Sequence, residues 1–322
     1  MNHEVELKVR RDSAGADPSA ERALFRDSET ALGLSDQPGK VARAELVPVR
    51  PEMIVAEAVE AVVQSCIHHF RSNEMIVAKR REAAALHQMR VSMRRLRAAF
   101  SLFRPALADA QFENLRQELR WFTGQLGEAR NLDVFLARKG LPKPLRAAIK
   151  AEREHAYDQV IEALQSKRLR LLLIDLVAWI ELGRWRQNPK ACRPLPDFVA
   201  RRLYKWWQKL ARHGDLKSMD ADERHELRIE IKKLRYALDF VQALHTSAGR
   251  KQKQFYKSVE RLQESLGKLN DLVTMRALWR KFGHKLPRSR SEEHEVEEKC
   301  LRAAQASLDR LRKIGPYWTR LA

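Results

Sequence analysis

A chain of 322 residues, 44% of them hydrophobic, carries enough apolar surface for one large core or two ordinary ones, which excludes a disordered protein. Its 62 Lys and Arg against 42 Asp and Glu leave a formal charge of +20; that lies far beyond the magnitude of about 2 to 8 that solubility asks of a small domain, and it indicates a polyanionic partner such as nucleic acid, an acidic membrane surface or a phosphate polymer. Cys66, Cys192 and Cys300 are far apart and in no ligand spacing, which points to free thiols in a reducing cytoplasm and away from a disulfide framework or a zinc site.

In chain order, the acidic start lacks the apolar core of a signal peptide. Glu4, Val5, Glu6, Leu7, Lys8 and Val9 alternate charged and aliphatic residues with the period of a half-buried strand. Residues 10–50, punctuated by Pro18, Gly33, Pro38, Gly39 and Pro48, read as a loose arm with a short helix near 20–25. From about Pro51 helical periodicity takes over, predicting amphipathic helices near 53–74, 79–104, 109–128, 143–165 and 168–186. A Pro-rich linker over 188–196 separates these from helices near 197–213, 220–246, 250–282 and 291–313. The longest apolar stretch, Leu171 to Leu182, is interrupted by Asp175 and Glu181 and is shorter than the ~20 residues of a spanning helix. The expectation is an all-α bundle protein with a short irregular or partly β arm over 1–52, cytoplasmic and without a membrane span.

The helical region contains an internal repeat. His87, Arg90, Val91, Met93, Arg94, Arg95, Leu96 and Arg97 are matched by His225, Arg228, Ile229, Ile231, Lys232, Lys233, Leu234 and Arg235 at identical spacing. A weaker echo follows each copy: Leu126-Gly127 ahead of Asn131 and Asp133, and Leu266-Gly267 ahead of Asn270 and Asp271. At ~100° per residue, His87, Arg90, Arg94 and Arg97 share one narrow helix face, as do His225, Arg228, Lys232 and Arg235. Beside the first basic stripe runs an apolar one of Met89, Met93, Leu96, Phe100 and Phe103. Leu227, Ile231, Leu234, Leu238 and Val241 accompany the second.

A file of like charges costs a helix a few tenths of a kcal/mol per neighbouring pair. Two things can offset that cost: acids from neighbouring helices, with Glu118, Glu128, Asp133, Glu260, Glu264 and Asp271 as candidates, or a bound polyanion whose phosphates meet the guanidinium groups in bidentate fashion. The wider chain adds further cations, among them Lys79, Arg80, Arg81, Arg116, Arg120, Arg130, Arg201, Arg202, Lys205, Lys209, Lys257 and Arg261. His87 and His225 stand in no metal-ligand spacing. They are read either as phosphate contacts, partly protonated in a polyanion's field, or as structural hydrogen-bonding groups.

The two motif copies, the Ala99 to Pro105 segment and the Leu126-Gly127 to Asp133 stretch together resemble the CHAD family of histidine-containing α-helical domains, over roughly 53–322. That resemblance implies two four-helix bundles, about 53–188 and 196–322, related by pseudo-twofold symmetry. It also implies a basic surface or central channel, and binding of inorganic polyphosphate with association to polyphosphate granules. The binding positions it implies are His87, Arg90, Arg94, Arg97, His225, Arg228, Lys232 and Arg235. Arg95 and Lys233 fall off the shared face and stand second to these, together with Arg130, Arg116, Arg120, Lys205, Lys209, Lys257 and Arg261. The start at Glu4 to Lys8 resembles a strand of the CYTH domains that often accompany CHAD domains; with only about forty-five residues ahead of the helices, it reads as a remnant or a chance match.

Two rivals share the electrostatics. An RNA- or DNA-binding protein would add stacking aromatics, for which Trp206, Trp207 and Tyr236 are the candidates. A phosphohydrolase acting on polyphosphate would need a phosphate loop, a paired acidic motif or an activated nucleophile, and the sequence offers none. The expectation is a binding protein with no catalytic residues, metal or cofactor, taking polyphosphate and, non-specifically, nucleic acid.

Overall fold

The computed structural model describes residues 39–244, 249–284 and 290–318. Among these the chain is helical, with one isolated antiparallel bridge between Ile54 and Pro194. The strand expected at 4–9 and the helix at 20–25 lie outside the described residues. So does any test of a CYTH remnant.

Six α-helices come first: α1 Val55–Arg80, α2 Ala83–Leu107, α3 Ala110–Gln125, α4 Gly127–Leu136, α5 Lys143–Gln165 and α6 Lys167–Leu182, closed by a 3-10 turn at Arg184–Gln187. Then follow α7 Leu195–Ala211, α8 Ala221–Phe240, α9 Gly249–Lys281 and α10 Arg290–Ile314. Several boundaries have clear causes. Asp109 caps α3 by accepting from the Phe112 N–H (2.8 Å), Ser166 caps α6, and Asp220 with Glu223 forms a capping box on α8.

Four expectations are corrected. The first helix runs on to Arg80, so Lys79 and Arg80 end it, and Arg81 makes the turn in the left-handed region (φ 48°), held there by Glu154 and Asp158 on α5. The helix expected over 109–128 ends at Gln125, and a further helix, α4, takes its last residues and part of the stretch before 143 for which no element was expected. Residues 41–49 are not a loose arm. Ala42 exchanges hydrogen bonds with the Asn73 side chain (3.2 and 3.0 Å), Glu45 O accepts from Arg95, and Val47 and Val49 are buried. Nor is 188–196 a free tether: the N–H groups of Val55 and Ala56 donate to Arg193 O and Ala191 O (3.0 and 2.9 Å), and Leu195 N–H returns to Met53 O.

Packing follows the apolar stripes. All ten stripe residues of α2 and α8 are buried, and one continuous apolar cluster runs through the whole described chain. Helix α2 packs on α1, α3 and α4 and, from the other half of the chain, on α8; α8 in turn packs on α7 and α9. The two copies of the repeated motif therefore lie on helices that touch each other.

Candidate functional site

The basic edges of α2 and α8 meet where these helices pack, and α4 adds a third side. Arg94 is the hub. Its charge lowers the pKa of His87, Arg90 and Arg130 on its own half of the chain and of Arg228 and Lys232 on α8, so all six groups share one electrostatic neighbourhood. Arg94 Nε donates to the Tyr236 hydroxyl of α8 (3.3 Å), which ties the hub to the opposite helix. Helix α4 begins against Arg90: a Cβ at Gly127 would stand 3.5 Å from Arg90 Nη1. One turn on, α4 presents Arg130.

Each of these six groups is half-buried. Burial is the main reason the pKa values of His87, Arg90, Arg130, Arg228 and Lys232 fall, with the neighbouring cations second for all but Arg130 and Arg228. Lys232 is pushed down to about 8 and Arg90 to about 10, which leaves both charged at neutral pH. His87 is pushed down to about 4, so it is neutral there. His225 is exposed, and the two histidines are not equivalent.

The acids that were candidates to neutralise the stripes are largely committed to other cations. Glu118 pairs with Arg168 (2.7 Å), Glu128 with Lys281 (2.7 Å), Asp133 with Arg153 (2.7 Å) and Glu264 with Lys268 (2.9 Å). Asp271, exposed on α9, tempers Arg228, Lys232 and Arg130 from a distance without forming an ion pair among the described residues. The buried Nε and Nη1 of Arg90 and the buried Nε of Arg228 and Arg235 have no acceptor among the described residues. A buried donor left so costs about 1–3 kcal/mol, more when charged.

The remaining predicted positions divide. Arg97 is exposed and lies with Arg116 and Arg120 in a second basic group, farther along α2 and α3. Arg235 is partly neutralised by Asp239 (3.7 Å), which also accepts from the Tyr256 hydroxyl. Arg95 is placed elsewhere: it is buried, donates to Glu45 O (3.2 Å) and sits over the Phe240 ring at 5.2 Å, joining the N-terminal segment and α8 to α2. Lys233 faces α7, lining a cavity of about 110 Å³ with Trp206, Lys209 and Glu230. Lys209 is held by Glu230. Lys205, Lys257 and Arg261 are exposed on α7 and α9, and no hydrogen bond or ion pair among the described residues joins them to the hub.

Sequence reasoning underweighted Arg130 because it missed α4, although the Leu126-Gly127 echo marked the place. Arg130 is positioned by a buried network one turn along. Asp133 accepts from Arg153 Nε (2.7 Å) and from the Tyr157 hydroxyl (2.9 Å), and the Arg153 guanidinium lies over the Tyr157 ring at 4.2 Å.

Residues 61–280 match the sequence profile described as the CHAD domain. Among solved structures, the chain is similar to the crystal structure of the CHAD domain from the plant Ricinus communis, at 27% identity and a TM-score of 0.68, over 85% of this chain and 97% of that one. It also shares its fold with PptA from Streptomyces chartreusis, at 14% identity and a TM-score of 0.51, over 81% of this chain and 99% of that one. No curated protein sequence matches the chain.

Proposed function

The chain belongs to the CHAD domain family, and from that premise we propose that it binds inorganic polyphosphate at the cluster formed by α2, α4 and α8. One observation carries the reading. Arg90 and Arg228 are held half-buried among like charges with donors unused, while nearby acids serve other cations. Such a cluster is unfavourable by itself and becomes favourable when closely spaced anionic oxygens enter it. Arg matches phosphate with paired N–H donors, and Lys232 adds a point charge.

A linear polymer supplies those oxygens in a row, long enough to pass His87, Arg90 and Arg130 on one side and Arg228 and Lys232 on the other. The Arg97, Arg116 and Arg120 group extends the track along the first half. The matched motifs on two touching helices support an internal duplication, with two bundles related by a pseudo-twofold axis through the α2–α8 contact. The proposal includes recruitment to polyphosphate granules in the cytoplasm. It is a binding function without a catalytic step: the hub residues are cations, one neutral imidazole and the Tyr236 hydroxyl, with Asp271 and, at Arg130, Asp133 the carboxylates that bear on them. Among the described residues no helix is long and apolar enough to cross a membrane. Non-specific nucleic-acid binding would use the same cations, but Tyr236 and Trp207 are buried and Arg202 lies over the ring of the partly buried Trp206, which leaves the hub without a stacking platform.

Calorimetric titration with long-chain polyphosphate, in two buffers of different ionisation enthalpy at a pH just above 8, tests this directly. Bound phosphates raise the pKa of Lys232 from about 8, so the complex holds more protons and affinity falls as pH rises beyond that point. His87 acts likewise from about 4 upward. We expect tight binding with net proton uptake that Lys232→Met removes. Absence of binding, or binding without uptake, would contradict the assignment.

A further inference from the structure

Helix α6 is apolar on two opposite faces. Its inner face, Leu169, Leu172, Leu176, Trp179 and Ile180, is buried against α3, α5 and α1. Its outer face leaves Leu171 43%, Ile174 41% and Val177 47% exposed, with Leu182 at 62% just beyond. Half of the large exposed hydrophobic side chains among the described residues thus gather on one 16-residue helix. A helix apolar all round belongs in an interior, and none of the polyanion-site residues lies on it.

The outer face has a pattern that selects its occupant. Lys167, Leu171, Ile174, Ala178 and Glu181 are spaced 4, 3, 4 and 3 residues apart, the heptad seam of a coiled coil. Reversed about Ile174, the outer face as a whole pairs with itself, with Ala178 falling opposite Arg170. Leu171 and Val177 lie three residues to either side of Ile174, and Lys167 and Glu181 lie seven to either side. Among the described residues neither Lys167 nor Glu181 makes an ion pair, and Glu181 accepts a hydrogen bond from the Gln64 amide at 3.4 Å. Both are exposed.

From this charge complementarity we infer that α6 is a homodimer contact, packing antiparallel on α6 of a second copy about a twofold axis at Ile174. Ile174 meets its own symmetry mate, Leu171 meets Val177, and each Lys167 meets the other copy's Glu181. Such an isologous contact uses one patch twice. A single helix pair ~24 Å long buries less than a standard interface, so the association is weak and concentration-dependent.

Sedimentation equilibrium of the full chain at physiological ionic strength and rising concentration tests the contact. The weight-average mass should climb from 37.4 kDa toward twice that value. Lys167→Glu and Glu181→Lys should each hold the protein monomeric with an unchanged circular dichroism spectrum. The double swap, and an equimolar mixture of the two single variants, should both restore association. A native protein that stays monomeric at high concentration would overturn the proposal, as would single variants that associate like the native chain.

Discussion

Replacing Arg90 and Arg228 together with alanine is expected to lower affinity for long-chain polyphosphate by about two to three orders of magnitude while leaving the fold at least as stable. The two effects have one cause. Each guanidinium sits half-buried among cations, with donors that no group among the described residues accepts. In the complex each makes charge-assisted bonds worth about 1.5–3 kcal/mol, and about 1.4 kcal/mol corresponds to a factor of ten. Without ligand, removing them takes away desolvation and like-charge repulsion, at the cost of the packing of two aliphatic stems. Titration calorimetry and denaturant unfolding on the same double variant read both quantities. Strong destabilisation would mean that the cluster is a structural feature with partners of its own, and undiminished affinity would place the polymer elsewhere.

The second large effect is on stability. Asp133→Ala is expected to cost about 3–5 kcal/mol, because it strands two groups that a buried carboxylate satisfies. Arg153 loses its 2.7 Å partner and the Tyr157 hydroxyl its 2.9 Å acceptor, beneath a helix of only ten residues. Arg153 keeps its bonds to Glu154 and to Arg81 O, so the loss should not exceed that range. Since α4 carries Arg130 and starts against Arg90, polyphosphate affinity should fall as well, although Asp133 touches no ligand in this account. Chemical denaturation measures the first effect; a loss under 1 kcal/mol would show that α4 is held mainly by its apolar face.

The repeated motif was readable because its meaning is local. A basic stripe and an apolar stripe a fixed number of residues apart define a helix edge whatever surrounds them, and Met93 and Ile231 are buried as that pattern requires. What escaped depends on distant residues. Helix α4 has only ten residues, too few for periodicity to mark it apart from the helix before it. Residues 41–49 read as loose because their anchors, Asn73 and Arg95, lie on α1 and α2. Equal spacing made His87 and His225 look equivalent. Only the fold sets His87 beside Arg130 and leaves His225 in water. Arg95 sat off the basic face in the sequence, and the structure shows what that offset does: it turns the guanidinium toward Glu45 O and Phe240.

The central claim is that the hub takes a phosphate polymer in particular and not any polyanion. Competition between long-chain polyphosphate and single-stranded RNA of matched charge, at moderate salt, tests it most directly. The account predicts that polyphosphate displaces RNA at a small fraction of the amount RNA needs to displace polyphosphate, and that Arg90→Ala/Arg228→Ala erases the difference. RNA that competes equally or better would contradict it and make the shared cations of α2, α4 and α8 a nucleic-acid site.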